Sequence, residues 1–447
     1  MLLLGSESQE LDEMMDPRLA VVFHQYALFA EEQYHAILRS PEVSRLKVYV
    51  ERKKQEIEQL NESLRMSTSD SSRSHLSQHQ RKAVALYAED VAQFSVHTES
   101  RTTFLAQAID MYSRCLQGSD EFDDSAVIRL CSLWFANFGE SKIQPNFGQA
   151  FARIPSRKFI FLAHQLSARL SKPDKVTSKV SDAQKHLQSL ITRMCKEHPF
   201  HSLYQVWALQ QGVPMSEYDN SRRQSARGAP VSMHSGRARA ASDILAICRQ
   251  HAPNTERVQA IELLCNGYLQ WAQYPLKGDE AYKQNRNQYK VPKIRLREVS
   301  DLPVPVSTAY TPLDYTMKYD NIVTIKKYSS HFTLAGGQNL PKISECIGSN
   351  GRSYKQLVSL PSSFLNLLLT GSRQFKGEGH DDLRQDAVME QVFELVNVVL
   401  KRDRQTRKRQ LGVRCYKVIP LAPQAGLLEF VENTMPIGTW LTPAHRR

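Results

Sequence analysis

FKGEGHDDLRQDAVMEQVFELVN, residues 375–397, decides the fold of this chain. It runs from a lysine between glycines and apolar residues into a segment that opens on Asp381, Asp382 and Asp386. Beyond Asp386, Val388, Val392, Leu395, Val396 and Val399 recur every three or four residues. That period predicts one strong helix over 381–402 whose apolar face packs on a neighbour.

Short β-type runs flank it: IVTIKKYSSHFTLA (322–335), KISECIGS (342–349), YKQLV (354–358), VRCYKVIPL (413–421) and LLEFVEN (427–433). Gly and Asn turns separate them, so a small antiparallel sheet with one packed helix is expected. The order turn-strand, lysine-strand, acidic helix, strand, hinge is what a kinase small lobe requires. A glycine turn lets backbone amides approach phosphate oxygens, a lysine bridges the phosphates, and a helix carboxylate fixes that lysine. The turn would be 335–342, with Gly336, Gly337, Leu340 and Pro341; alone it is a weak signal, since Gly-Gly with Asn and Pro occurs in ordinary hairpins.

Upstream the texture is helical from Pro17 to Gln273, as in Leu19, Val22, Phe23, Tyr26 and Phe29. Val43–Leu64 is highly charged and reads as a long exposed helix or a coiled-coil arm. A second long helix, about Gln78 to Leu116, would fold back on it across the Ser-rich turn STSDSSRSH. Alternating helices and polar turns describe an alpha-solenoid, although no repeat of fixed length is present. Residues 216–242 are rich in Ser, Arg, Gly and Ala and predict a disordered loop. The closely spaced prolines of 290–307 break helices and mark a different domain. The expected class is therefore α+β: a solenoid over 1–275, a linker over 276–309 and a small lobe over 310–447.

Bulk properties agree. A chain of 447 residues exceeds one ordinary core, and 41% hydrophobic with 23% charged residues excludes disorder throughout. A net charge of +12 points weakly to anionic surroundings, because Arg222–Arg223, Arg237–Arg239 and Lys401–Arg409 read first as solvated loops or helix ends. Seven scattered cysteines show neither C-x-x-C pairs nor metal spacing, which fits reduced thiols in a nuclear or cytosolic protein. The N-terminal stretch has too few leucines for a signal peptide, and no window is long enough to span a membrane.

The 376–393 string resembles the K-G-x-D-D-L-R-Q-D-x-x-M-x-Q-x-F signature of phosphatidylinositol-3-kinase-related kinases, most of all the ataxia-telangiectasia-mutated type and its fungal telomere-maintenance counterpart. GGQNLPKISECIGSNGRSYKQL (336–357) and TRKRQLGVRCYKVIPLAPQAGLLEFVENTMPIG (406–438) support it, and CKEHPFHSLYQVWAL (195–209) resembles the C-terminal FAT region. The resemblance implies that ATP with Mg is the cofactor and that Lys376 contacts the phosphates. Asp381 or Asp386 would pair with Lys376, Tyr416 would lie behind the nucleotide, and Leu428, Glu429, Phe430 and Val431 would form the hinge. It further implies protein substrates carrying Ser/Thr-Gln sites, activation at DNA double-strand breaks through a sensor complex, a homodimer, a nuclear location including telomeric chromatin, and no membrane partner.

Two departures stand out. VSLPSSFLNLLLTGSRQ (358–374) separates YKQL from the lysine, and 374 − 358 + 1 = 17 residues. Val-Ser can be encoded GTAAGT, Leu369-Thr370 can encode CTNAC and Gln374 can be CAG, so an in-frame translated intron is one reading and a surface insertion the other. A segment of this kind is not expected to extend the lysine-bearing strand. Further, neither DRH nor DFG occurs in residues 1–447, and the resemblance implies that the catalytic loop lies beyond Arg447. No catalytic base or metal ligand is therefore assigned, and the chain alone is expected to be inactive. A phosphoinositide kinase fragment and a non-catalytic scaffold or pseudokinase are the alternatives.

Overall fold

The computed structural model describes residues 17–67, 69–171, 180–211, 233–274, 289–290, 300–335, 341–359, 383–422, 425–435 and 437–445. The chain forms two compact units, 1–158 and 159–447.

The first unit holds α1 (Pro17–Arg39), α2 (Pro41–Met66), α3 (Asp70–Gly118), α4 (Asp123–Ala136) and α5 (Gln144–Arg153). α2 and α3 form the expected antiparallel hairpin, tied by Lys53 to Asp90 at 2.7 Å, and α2 buries none of its residues. The turn is shorter than the sequence suggests. Only Ser67–Ser69 separate the helices, because Ser69 takes the extended N-cap conformation and Asp70 opens the first turn of α3, leaving the remaining serines helical. Trp134 of α4 anchors the core, its indole N–H donating to Gln144 Oε1 at 3.1 Å.

The second unit begins with α6 (Ala163–Ala168), α7 (Asp182–Glu197), α8 (Pro199–Gln210), α9 (Met233–Gln250) and α10 (Thr255–Ala272). α9 corrects the expected loop at 216–242: residues 233–242 are helical, since Ala240 and Ala241 are good helix formers and both are buried. Residues 216–232 lie outside the described set.

The strands are β1 (Tyr289–Lys290), β2 (Ser300–Pro305), β3 (Thr324–Tyr328), β4 (His331–Leu334), β5 (Lys342–Gly348) and β6 (Ser353–Ser359). α11 (Leu383–Arg402) and α12 (Arg404–Lys408) follow, then β7 (Val418–Ala422), β8 (Ala425–Glu429) and α13 (Ile437–His445). The antiparallel sheet runs β1-β4-β5-β6-β8-β7, and β3 pairs with β2 and β5. Thus β1 and β2, read as linker, supply strands. The β5–β6 hairpin turns at Gly351, whose φ of +78° is a left-handed conformation suited to glycine.

The sheet lies between two helices of this unit. On one face Tyr268 of α10 shares a 2.7 Å hydrogen bond with Tyr328 and donates to Gln356 Oε1 at 2.8 Å. On the other, Leu383 and Ala387 of α11 pack on Val418, with Tyr416 and Leu428 beside them.

α11 sits differently from its periodic pattern. Its buried residues are Leu383, Ala387 and Glu390, whereas Val388, Val392, Val396 and Val399 are 36–63% exposed. The sheet contact uses the small Ala387, which lets the helix approach β7 closely, and the valine stripe lies on another face. Leu383→Ala accordingly lowers stability by about 2 kcal/mol while Val399→Ser stays within about 0.5 kcal/mol, measured by urea unfolding. Equal effects would restore the periodic assignment.

The segment 358–374 also differs from expectation. Val358 and Ser359 belong to β6, paired with Leu427 and Gly426, and Val358 is 1% exposed. A β-branched residue continues the strand's inward alternation, so the first two residues of the segment do extend the strand. Residues 360–374 lie outside the described set.

Candidate nucleotide site

Residues Leu357 on β6, Leu428 on β8 and Val418 on β7 are cross-strand partners, forming one apolar row. α11 covers the Val418 end. Alternation puts Lys355 and register position 359 on the same face as Leu357, with Gln356 turned toward α10.

Tyr416 precedes β7 and is fixed by α11, its backbone N–H donating to Glu390 Oε2 at 3.0 Å. Burial raises its hydroxyl pKa, and the charges of Glu390 and Asp386 add to that, which places Asp386 within electrostatic reach of the ring. Asp386, Glu390 and Glu394 follow one another at i, i+4 spacing, so α11 offers one acidic edge. Glu394 is exposed to solvent, yet partial desolvation against its neighbours and the Glu390 charge raise its pKa. Glu390, 7% exposed, was not singled out from sequence, yet its spacing from Asp386 was the available signal.

Lys417 lies next to this edge. Burial lowers its pKa to about 8, opposed by Glu429 and Glu394, and among the described residues its Nζ has one long contact, 3.4 Å to Ala309 O.

The hinge donors are largely committed. Glu429 N–H donates to Lys417 O at 2.8 Å and Phe430 N–H to Lys355 O at 3.2 Å. The Glu429 carboxylate accepts from Arg414 Nη2 at 2.9 Å and from the Lys417 N–H at 3.1 Å. Val431 N–H makes no hydrogen bond among the described residues, and its carbonyl accepts from Thr434. Of the expected hinge, therefore, Val431 keeps the donor. A cavity of about 710 Å³ opens here, bounded by Tyr354, Lys355, Glu394, Tyr416, Lys417 and Phe430.

Of the predicted site residues, Tyr416, Glu429, Phe430 and Val431 come together, with Asp386 on the covering helix. Pro341 lies elsewhere on the sheet, half-buried, its carbonyl accepting Ala335 N–H at 2.8 Å. Lys376, Asp381, Gly336, Gly337 and Leu340 lie outside the described residues. So does Arg447, the position beyond which the resemblance puts the catalytic loop; the described part of α13 stops at His445.

A profile of the family described as Phosphatidylinositol 3- and 4-kinase matches residues 374–445. The pig Serine-protein kinase ATM is 31% identical over 99% of this chain and 14% of its own length. The Serine/threonine-protein kinase tel1 of Emericella nidulans is 33% identical over 95% of this chain and 14% of its own. The chain thus spans about one seventh of these relatives. A solved structure described as the FAT and kinase domain of CtTel1 superposes with a TM-score of 0.74 at 29% identity, over 96% of this chain and 26% of that one. The Complete CtTel1 dimer with C2 symmetry gives 0.74 and 29% over 96% of this chain and 14% of that one. Its α+β succession of FAT-like helices and a small-lobe sheet, with sequence likeness along nearly its whole length, makes this chain a member of the phosphatidylinositol-3-kinase-related Ser/Thr protein kinases of the ATM and Tel1 type.

Proposed function

We propose that this chain carries the adenine-nucleotide site of a Ser/Thr protein kinase, and that the whole protein transfers the γ-phosphoryl group of ATP to Ser or Thr followed by Gln. One observation carries the reading: Glu390 of α11, one turn after Asp386, holds the Tyr416 backbone at the edge of an apolar row, Leu357–Leu428–Val418, that ends in a hinge where Val431 N–H is uncommitted among the described residues.

The donor set fits the base of a nucleotide. The row and the Phe430 ring offer flat apolar surface, and Val431 N–H can donate to an adenine ring nitrogen. Bound ATP would supply the phosphoryl group, and these residues would orient the base and exclude water from it. Among the described residues no group of three His, Cys, Asp or Glu side chains is placed to hold a metal ion, so Mg ligands remain unassigned.

The phosphate contact falls to Lys376. With seventeen residues removed between Leu357 and Lys376, the lysine takes register position 376 − 17 = 359, opposite Gly426. Phe375 then fills the buried position before it, the one that Val358 holds in the described strand. A Cβ on Gly426 would meet Leu383 Cδ1 at 2.7 Å, so this position borders the first turn of α11, where Asp386 resides. Asp386, or Asp381 ahead of it, is the carboxylate proposed to hold the lysine. Sequencing mature transcripts across codons 357–376 is expected to show a form lacking the segment; its presence in every message would leave Lys376 outside the strand.

The resemblance extends the proposal to activation at DNA double-strand breaks through a sensor complex, homodimerisation, and a nuclear, telomere-associated location. Among the described residues no helix is long and apolar enough to cross a membrane. The test is phosphate transfer by the longest transcript-supported protein containing this chain, offered a Ser-Gln peptide and a phosphoinositide. Transfer to the peptide, abolished by Lys376→Met and by Asp386→Asn, is expected. Transfer to the lipid alone would make the protein a lipid kinase, and transfer to neither would leave a scaffold.

A further inference from the structure

Lys342 opens β5, at the end of the stretch where the sequence places a phosphate-contacting turn. Its ammonium is turned to the helices instead. Nζ donates to Trp271 O at 2.8 Å, Ala272 O at 2.7 Å and Tyr274 O at 2.9 Å, using all three of its protons. Trp271 and Ala272 close α10 and Tyr274 follows it, so the ammonium sits at the negative end of the helix dipole; Trp271 O also accepts the Tyr274 N–H at 3.1 Å. The residue is 4% exposed, and that burial lowers its pKa to about 8.

The position of this cation in the sheet gives it a role. Lys342 pairs with Leu334 at the end of β4 and with Val358 near the end of β6. Ala335 N–H donates to Pro341 O at 2.8 Å, closing the base of the β4–β5 connection. Three strand ends therefore meet at one residue, and the register position proposed for Lys376 is the next one along β6. The same helix holds the sheet a second time through Tyr268, but that tie reaches β3 and the middle of β6. Trp271 of α10 also packs edge-on against Phe332 of β4, ring centroids 5.9 Å apart, and the Lys342 ammonium adds a polar tie at the corner itself.

We infer that Lys342 is a positioning residue of the nucleotide site: it locks the β4–β5–β6 corner to the end of α10, so that a displacement of this helix is transmitted to the strand ends flanking the bound phosphates. The inference rests on the nucleotide-site reading. A buried methylene chain would fill the same space, but only a charged donor satisfies three helix-end carbonyls at once. α10 thereby becomes the element through which the helical segment can tune nucleotide affinity.

The test compares wild type, Lys342→Met and Lys342→Arg in the 447-residue chain, by amide hydrogen exchange and by MgATP titration. Lys342→Met is expected to speed exchange about tenfold in peptides covering 330–345 and 266–276, leaving α1–α5 unchanged, and to weaken MgATP at least about threefold. Lys342→Arg, which keeps charge and donors, is expected to restore both. Should Lys342→Met fail to fold, Lys342→Gln, with two neutral donors, is read in its place. Wild-type exchange in the variant overturns the tie. Faster exchange with unchanged MgATP affinity overturns the positioning role, leaving a structural contact. Where only the chain lacking residues 358–374 binds MgATP, the Lys342 variants are read in that chain; absence of MgATP binding in both chains overturns the nucleotide reading and the positioning role with it, while the exchange rates still report whether the tie exists.

Discussion

Gly426→Ala is expected to destabilise the 159–447 unit by about 3 kcal/mol, at the upper end for overpacking. A Cβ there would lie 2.7 Å from Ile419 O and 2.7 Å from Leu383 Cδ1. The two neighbours yield differently. Leu383 can change rotamer, but the Ile419 carbonyl belongs to the β7–β8 ladder, in which Ile419 pairs with Leu427 and Pro420 with Gly426. Moving it breaks strand hydrogen bonds, so the side-chain part of the penalty can be relieved and the backbone part cannot. In a double-mutant cycle, Gly426→Ala combined with Leu383→Ala therefore costs less than the sum of the single changes. Urea midpoints of the four proteins measure this. Strict additivity would mean that α11 does not rest on β8 at this glycine.

Acid is expected to weaken the same unit through His164. Burial lowers its pKa from 6.5 to about 4. Above pH 6.5 the imidazole is neutral both folded and unfolded, and stability does not depend on it. Between pH 6.5 and 4 the unfolded chain takes up a proton that the folded chain refuses, so stability falls as pH falls. The full interval corresponds to roughly 3 kcal/mol at 1.36 kcal/mol per unit, and about 2 kcal/mol is expected because the ring faces a cavity of about 230 Å³ that admits some solvent. His164→Asn, compared with wild type across about pH 4–7, removes this component. Parallel stability curves would show that the ring is solvated in the folded protein.

The elements that the sequence made legible are those where one local rule dominates. The helical hairpin of α2 and α3 shows in its charge and period, and the strands around 342–358 and 418–429 in their β-branched runs. α11 was placed correctly but turned wrongly. Its valines carry the stronger periodic signal, yet burial was decided by Ala387, small enough for close approach, and by Glu390, whose carboxylate meets a backbone N–H of Tyr416. Hydrophobic period cannot register either effect. The hinge and Tyr416 were found through family strings, whereas the commitment of the Glu429 and Phe430 donors to neighbouring strands depends on register. Lys342 lies within the quoted turn, but its partners are carbonyls at and just beyond the end of a helix, 68 to 71 residues earlier in the chain, which no local pattern registers.

The central claim is that a nucleotide lies on the α11 side of the β6–β8–β7 row, with its phosphates met by Lys376 once that residue occupies the register opposite Gly426. Calorimetric titration of MgATP into the 447-residue chain and into the same chain lacking residues 358–374 tests it most directly. The shortened chain is expected to bind at least about tenfold more tightly, the scale of one charge-assisted phosphate contact, and to lose that gain in Lys376→Met. Equal affinity in both chains, or a gain that survives Lys376→Met, would contradict the account.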